Sequence, residues 1–150
     1  MILRDLLQKP LSFILENHID DNVIFSDASV STLLDKMSSQ LSNEKAFPDF
    51  LIVITDHDYI IKAVITNREV ADLIQIVRPL TDYNVKVETL DLDKKFPPKY
   101  ALNDTEKIEA VFNILRTNVT DMVIAKNAAG KYVGKIGRVF ILKKMEALLS

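Results

Sequence analysis

Thr66 and Glu69 place a hydroxyl and a carboxylate three positions apart, in the stretch KAVITNRE at residues 62–69. On the first turn of a helix, side chains at this spacing lie on the same side. They also lie beside free backbone amides and the positive end of the helix dipole. Thr66 and those amides can therefore bind a phosphate, and Glu69 can accept hydrogen bonds from a ribose diol. This is the chemistry of recognition rather than of bond breaking.

The same two residues also fit an ordinary capping box. In that interpretation Thr66 caps the following helix, and the Glu69 carboxylate reaches back to the Thr66 amide. The spacing by itself leaves both interpretations open.

His57 stands between Asp56 and Asp58 in the segment TDHDY, a set that could suggest a metal site. One histidine and two carboxylates in such a turn are more typical of a solvated loop, and no second histidine stands at ligand spacing. His18, beside an acidic turn, is interpreted as a helix-end residue. Because no serine–histidine, paired-carboxylate or metal constellation is visible, the sequence predicts no enzyme activity and no metal site.

The composition excludes several classes of protein. The chain has 150 residues, of which 48% are hydrophobic, enough to bury roughly two thirds of the unfolded surface without a metal or disulfide. With 19 basic and 21 acidic residues and a net charge of -2, a general nucleic-acid surface is not expected. The sequence therefore predicts a compact protein with no nucleic-acid partner.

Cysteine usage and hydropathy bear on the compartment. The chain has no cysteine, which fits a reducing compartment. The longest apolar stretch, FLIVI, is far too short to span a bilayer. We therefore expect a cytoplasmic protein with no membrane partner.

An internal repeat organises the chain. The segments at residues 48–74 and 119–145 match without a gap, each reading as strand, polar turn, strand and helix. An amphipathic helix precedes each copy, with apolar residues at i, i+3, i+4 and i+7. These positions are Val30, Leu33, Leu34 and Met37 in the first half and Ile108, Val111, Phe112 and Leu115 in the second. The spacing from helix to strand is seven residues longer in the first half.

The remaining segments are less regular. Val85 to Leu92 alternates between apolar and polar residues, which predicts an edge strand within a linker. The N-terminal leucine-rich segment reads as two short helical pieces broken at Pro10, expected to cover the sheet of the first repeat. The predicted boundaries are 1–80 for the first repeat with its N-terminal segment and 81–150 for the linker strand and the second repeat.

The repeated unit resembles a tandem pair of cystathionine-β-synthase (CBS) domains, from about Leu3 to Leu149. In that family the last strand ends in a G-h-x-T/S-x-x-D/N pattern. The first copy reads AVITNRE (63–69), with alanine for the glycine and Glu69 for the aspartate. The second reads GKIGRVF (134–140), which keeps the glycine but has Gly137 and Phe140 at the two polar positions. The family's hairpin turn survives as ITDHDY without its glycine and as AKNAAG with it.

The resemblance implies an α/β (α+β) fold of two β-α-β-β-α repeats, packed sheet to sheet with pseudo-two-fold symmetry. It also implies a regulatory module that binds AMP, ADP or ATP, without an obligatory cofactor, and signals to a regulated protein that the sequence does not identify. The residues carried over as nucleotide contacts are Thr66, Glu69, Val64, Asn67 and Arg68. Because only the first copy keeps its polar ligands, one nucleotide per chain is expected.

Arg138 is a further candidate contact, from a basic stretch near the C-terminus. The stretch consists of Lys126, Lys131, Lys135, Arg138, Lys143 and Lys144. It is usually interpreted as a solvated face, although Lys135 and Arg138 could neutralise the phosphates of a nucleotide held by the other repeat. The glycines Gly130, Gly134 and Gly137 match neither phosphate-loop pattern, so they predict a hairpin turn and close backbone packing.

Two alternatives to adenine mononucleotide binding stay open. One is a CBS pair with degenerate clefts that serves only for dimerisation or protein interaction. The other is a different adenosyl ligand, such as S-adenosylmethionine or a cyclic dinucleotide. The last helix is apolar around almost its whole circumference, which predicts a homodimer. CBS pairs commonly dimerise through such helices, so the resemblance agrees.

Overall fold

The computed structural model describes residues 2–15, 22–42 and 49–149, which divide into two units. The first-repeat unit contains the described residues between Asn22 and Lys99. The second-repeat unit contains those up to Leu15 and those from Tyr100 onward. Among these residues, no helix is long and apolar enough to cross a membrane.

Six α-helices and six β-strands are described along the chain, together with two short 3₁₀ helices. In chain order they are α1 (Leu3–Leu7), a 3₁₀ helix (Leu11–Phe13), β1 (Val23–Phe25), α2 (Val30–Leu41), β2 (Leu51–Thr55), β3 (Ile61–Thr66), α3 (Val70–Val77), a 3₁₀ helix (Val87–Leu90), α4 (Leu92–Lys95), β4 (Ala101–Asn103), α5 (Ile108–Leu115), β5 (Met122–Lys126), β6 (Tyr132–Gly137) and α6 (Arg138–Leu149). Each repeat is therefore a β-α-β-β-α unit, as the sequence predicted.

The first-repeat unit contains a three-stranded sheet in the order β1-β2-β3. The central strand β2 pairs in parallel with β1 and in an antiparallel direction with β3, and all five of its residues are buried. A continuous apolar run suits a strand that is covered on both faces. Helix α2 begins after Ser29, whose Oγ accepts a hydrogen bond from the Thr32 amide at 3.2 Å. That bond is an ordinary N-cap and marks where the helix starts.

The second-repeat unit has the same arrangement, with a sheet in the order β4-β5-β6. The strands β5 and β6 lie 71 positions after β2 and β3, which confirms the gapless repeat. Both hairpins carry an irregularity at the same place, between Ile54 and Thr55 and between Ala125 and Lys126. Of the seven additional residues of the first half, four lengthen α2 to 12 residues against 8 in α5, and three lie between α2 and β2. That stretch includes residues 43–48, which lie outside the described part of the chain.

The segment predicted as an edge strand, Val85 to Leu92, is not a strand. It forms the 3₁₀ helix Val87–Leu90 and the start of α4. The amides of Val87 and Glu88 donate to the carbonyl oxygens of Ala28 and Ser26 at 2.8 and 2.9 Å. The apolar side chains at 87 and 92 are buried in the first-repeat core. The alternation of apolar and polar residues therefore reflects a segment that is bonded to the loop after β1 and buried in the core, rather than a strand paired in a sheet. We call residues 85–96 the connector.

The N-terminal segment packs within the second-repeat unit, not on the first repeat as expected. Leu6, Leu11 and Ile14 are buried in one cluster with residues of α5, β5, β6 and α6. The Leu11 amide donates to the Glu106 carbonyl at 2.8 Å, and the Ile108 amide donates to the Lys9 carbonyl at 2.9 Å. The boundaries 1–80 and 81–150 therefore differ from the observed units. An apolar periodicity identifies a face that must be covered but not which sheet covers it.

Candidate functional site

The Thr66–Glu69 stretch forms the junction between β3 and α3 in the first-repeat unit. Thr66 is the last residue of β3 and pairs with Leu51 at the start of β2. Glu69 is the N-cap residue of α3. A three-residue turn from 67 to 69 separates strand from helix, so the helix begins only at Val70. The junction thus brings together the two residues that the sequence singled out.

The hydroxyl and the carboxylate are hydrogen-bonded to each other. The Thr66 hydroxyl donates to Glu69 Oε2, and the Thr66 amide donates to the same oxygen at 3.3 Å. The Arg68 amide in turn donates to Thr66 Oγ1 at 3.3 Å. Glu69 therefore reaches back to the Thr66 amide, as the capping interpretation predicted. Thr66 does not cap α3, however, because the N-cap position is occupied by Glu69.

The start of α3 has no side-chain cap. The side chain of its N-cap residue, Glu69, bonds to Thr66 and accepts no capping hydrogen bond from the first turn. The Leu73 amide donates to the Glu69 carbonyl at 3.0 Å. The first amides of a helix have no partner within the helix. In an eight-residue helix that begins beside a hydroxyl, they form a place where an anion can be held by amides and by the helix dipole.

The neighbouring predicted residues differ in exposure. Val64 lies two residues before Thr66 on the same face of β3 and is only 7% exposed. Its amide donates to the Phe96 carbonyl of the connector at 3.0 Å. Asn67 is half-buried and Arg68 is exposed in the turn. The structure thus places all five first-repeat residues at one junction.

Arg138 lies in the second-repeat unit, at the first position of α6. Its guanidinium donates to the carbonyl oxygens of Leu115 and Thr120 at 2.8 and 3.2 Å, and to Asn118 Oδ1 and Asp121 Oδ1 at 3.3 Å each. These bonds hold the end of α5, the following turn and the start of α6 together. Sequence analysis did not predict this structural role, because the carbonyl acceptors carry no signal of residue type.

Phe140 occupies the position in the second repeat that corresponds to Glu69. It is half-buried, packs against the second-repeat core, and its ring centroid lies 5.8 Å from Lys144 Nζ. The expectation of a core role is therefore supported by its packing. This junction offers no carboxylate at 140 and no hydroxyl at 137.

His57 is part of a pair that the sequence did not predict. Its Nε2 lies 2.6 Å from Asp27 Oδ2, and its ring centroid lies 4.5 Å from that of Phe25. The hydrogen bond to Asp27, followed by the charge of Asp27, raises the pKa of His57, and the same bond lowers the pKa of Asp27. In the described part of the chain, no group of three or more histidine and acidic residues could hold a metal. His18 lies outside the described residues.

The chain is similar to several solved structures of CBS-domain proteins. It matches CBSX2 in complex with AMP with a TM-score of 0.67 and 14% identity, over 95% of this chain and 99% of that chain. It matches CbpB in complex with c-di-AMP with a TM-score of 0.69 and 15% identity, over 97% and 90% of the respective chains. It also matches the CBS domain of a bacterial CNNM/CorC family Mg²⁺ transporter in complex with ATP, at 0.63 and 14%, over 96% and 92%.

No protein-family model matches the chain, and no curated protein matches it. The structural likeness nevertheless spans nearly the whole chain in each of these three comparisons. The strand order and the β-α-β-β-α repeat agree with it. The chain therefore has the fold of a tandem pair of CBS domains.

Proposed function

We propose that the protein is a regulatory module that binds one adenine nucleotide per chain at the Thr66–Glu69 junction and passes its bound state to a partner protein. The observation that carries the proposal is the hydroxyl–carboxylate pair in front of the uncapped first turn of α3. The fold supports the ligand class, because solved structures of this fold are complexes with AMP, ATP and c-di-AMP.

Binding at this junction requires an exchange of hydrogen bonds. The Glu69 carboxylate accepts from the Thr66 hydroxyl and amide. A ribose diol would replace the hydroxyl as donor to Glu69, which releases the Thr66 hydroxyl to donate to a phosphate oxygen. Arg68, exposed in the same turn, would add a positive charge near that phosphate. The pre-existing pair keeps both groups positioned in the absence of ligand.

Isothermal titration calorimetry with AMP, ADP and ATP tests the proposal on the wild-type chain and on Glu69→Ala. Loss of a hydrogen bond to a charged acceptor is worth about 1.5 to 3 kcal/mol, so affinity should fall about ten- to a hundredfold. The proposal would be contradicted if the wild type bound none of the three nucleotides, or if it bound a nucleotide at two equivalent sites per chain.

Glu106→Ala is a matched control for this experiment. Glu106 is also half-buried and also reaches back three positions, since its Oε1 accepts a hydrogen bond from the Asn103 amide at 3.3 Å. Its removal deletes the same kind of local bond in the second-repeat unit. We expect Glu106→Ala to retain wild-type nucleotide affinity. Equal losses of affinity in both variants would indicate a general effect on folding.

A second candidate function is protein interaction without a ligand. It is favoured by the two hydrogen bonds that Glu69 Oε2 accepts from the Thr66 hydroxyl and amide, the arrangement expected of a capping carboxylate. A thermal-shift panel separates the two candidates, because a ligand at 100 times its dissociation constant adds about 2.7 kcal/mol of stability. The panel should include c-di-AMP and S-adenosylmethionine beside the three mononucleotides. A shift with one of these two alone would reassign the ligand, and no shift at all would favour the interaction module.

We further propose that the protein forms a homodimer through α6. Ile141 is buried, but Val139, Leu142 and Leu149 are 46%, 58% and 39% exposed on the same helix. A helix that is apolar on a second side is stabilised by a second apolar neighbour. Light scattering at micromolar concentration should report a dimer for the wild type and a monomer for Leu142→Lys. Leu3→Lys, at another exposed leucine in α1, should leave the mass unchanged.

A further inference from the structure

A cavity of about 290 Å³ lies in the first-repeat unit, at the opposite end of the sheet from Thr66. Thr66 pairs with Leu51 at one end of the β2–β3 ladder, whereas the cavity is lined by Ile54 and Lys62 near the hairpin. The connector forms its other wall. The cavity is therefore separate from the proposed nucleotide junction.

The cavity has an apolar part and an acidic part. Ile54, Val87 and Leu92 line it and are each no more than 3% exposed. Glu88, Asp91 and Asp93 also line it, and all three are exposed. Within the part of the chain that the structure describes, no hydrogen bond or ion pair engages these three carboxylates.

Lys62 is the basic residue of the lining, and its charge is already partly offset. Its Nζ lies 3.9 Å from Asp56 Oδ2, and both side chains are partly exposed. The lining has three carboxylates and one ammonium group, that of Lys62, which also pairs with Asp56. The lining therefore has a net negative charge. A phosphate-bearing ligand would be repelled here, in contrast to the uncapped helix start at α3.

The backbone fixes the acidic wall. Hydrogen bonds from Val87 and Glu88 to Ala28 and Ser26 hold the 3₁₀ helix against the loop after β1. Asp91 then adopts a left-handed conformation with φ of 52°, which turns the chain into α4. Aspartate tolerates this conformation better than most residues. The three carboxylates are thus carried on backbone that is already anchored to the unit.

We propose that this cavity binds a small organic cation, a primary ammonium or guanidinium group on a short aliphatic chain. The acidic lining supplies acceptors for the cationic head, and the buried Ile54, Val87 and Leu92 contact the aliphatic part. A bare metal ion fits less well, because no described cluster of three or more acidic or histidine residues has the geometry to hold one. An extended cation with several N–H donors instead matches carboxylates that are spread around a cavity.

Binding would join two parts of the unit. Ile54 and Lys62 belong to the sheet, whereas Val87 to Asp93 belong to the connector, which leads on to Tyr100 and β4. A ligand in contact with both walls would add to the hydrogen bonds and buried side chains that already hold the connector against the sheet. The site would therefore respond to a second ligand class independently of the nucleotide.

The test is a titration of the full chain with 1,4-diaminobutane and with agmatine, followed by amide chemical shifts at constant ionic strength. We expect saturable shifts concentrated at residues 26, 54, 62 and 87–93. Butane-1,4-diol, which has the same chain without the charges, should give none. Shifts spread evenly over the acidic surface, or equal shifts with the diol, would overturn the proposal.

Variants locate the site and separate it from the nucleotide junction. The double variant Glu88→Gln, Asp93→Asn should weaken diamine binding by about tenfold or more, because charged hydrogen bonds are lost. Asp35→Asn removes an exposed carboxylate from α2 of the same unit and should have no such effect. Glu69→Ala should leave diamine affinity unchanged, so failure of the nucleotide proposal and failure of this one are distinguishable. Unchanged affinity in the double variant would refute the site.

Discussion

The two strand–helix junctions occupy the same place in the repeat but are built differently. In the first-repeat unit, β3 ends at Thr66 and α3 begins at Val70 after a polar turn. In the second-repeat unit, β6 ends at Gly137 and α6 begins at Arg138 with no intervening residue. The comparison teaches that the hydroxyl–carboxylate pair accompanies a delayed helix start, whereas its loss accompanies a direct one.

The hydrogen bonds at the two strand–helix junctions also differ. Thr66 and Glu69 bond to each other and leave the first turn of α3 without a side-chain cap. Arg138 bonds to four oxygens from the end of α5 to the start of β5. The first junction keeps a hydroxyl and a carboxylate that are bonded to each other, and the second uses its polar side chain to bond neighbouring segments of its own unit.

The two hairpin turns, by contrast, share one geometry. Asp56 Oδ1 accepts from the amides of Asp58 and Ile60, and Asn127 Oδ1 accepts from those of Ala129 and Lys131, all at 2.9 to 3.0 Å. The fourth turn residue has positive φ in both, at 64° for Tyr59 and 81° for Gly130. The turn geometry is thus kept where the glycine is not.

Phe140→Ala should produce the largest loss of stability. Truncation of a buried phenylalanine costs about 3 to 5 kcal/mol, and the half-burial of Phe140 places the expected cost near the lower limit. Glu69→Ala should cost less than about 1 kcal/mol, the scale of a lost cap. Urea unfolding of both variants, with nucleotide titration in parallel, checks the contrast. Loss of nucleotide binding in Phe140→Ala without loss of stability would place the working site in the second repeat.

Arg138→Met should be the next largest effect. Removal of a guanidinium that donates four hydrogen bonds leaves two backbone carbonyls without that donor, with an expected cost of about 2 kcal/mol. Lys143→Met, at an exposed position of the same helix, should be nearly neutral. Chemical denaturation measures both. A neutral Arg138→Met would show that the junction of the second repeat does not depend on these bonds.

Gly130→Ala should destabilise the second-repeat turn by about 1 kcal/mol, because a side chain is disfavoured at positive φ. No atom lies within 4 Å of the added Cβ, so the loss would come from the backbone conformation rather than from a clash. Tyr59→Asn removes the ring contact with Phe25, which should lower the stability. Asparagine tolerates positive φ better than tyrosine does, so part of that loss should be offset. Thermal unfolding of the two variants tests whether positive φ at the fourth turn residue affects stability in both hairpins.

The smallest effect concerns His57, which has Ala128 as its counterpart in the second repeat. Because Asp27 raises the pKa of His57, an NMR titration should find it above the ordinary value of 6.5. Asp27→Asn should lower it. The charges of Asp56, Asp58 and Lys86 also bear on the pair.

The pH dependence follows from the direction of this shift. The stabilising contribution of His57 is fully present below its unfolded pKa and is lost as pH rises through its higher folded pKa. The lowered pKa of Asp27 means that its own contribution is lost only as pH falls through that folded value. Both side chains are solvent-exposed, so the change in unfolding free energy should be slight. A His57 pKa at or below the ordinary value would contradict the pair.

The sequence by itself determined the repeat, the fold of the repeated unit and the first-repeat residues of the candidate site. The 71-position register, the apolar runs of β2 and β5 and the helical periodicity before them are local patterns, and local patterns follow from backbone geometry. The Thr66–Glu69 pair was also identified from its spacing, although the structure places Thr66 at the end of β3 and Glu69 at the N-cap of α3 rather than both on the first helical turn. The alternation of apolar and polar residues from Val85 to Leu92 predicted a strand wrongly. Alternation alone does not show whether a segment pairs in a sheet or is held by a neighbouring loop and the core.

Only the tertiary structure decided where distant segments pack. It placed the N-terminal leucines against α5 rather than on the first repeat, joined His57 to Asp27 across 30 positions, and assigned Arg138 to four oxygens of its own unit. It also formed the acidic cavity from the sheet and the connector. Each of these depends on which apolar faces and which backbone oxygens become neighbours when the chain folds. That pairing is set by packing over the whole unit, and no single stretch of sequence contains it.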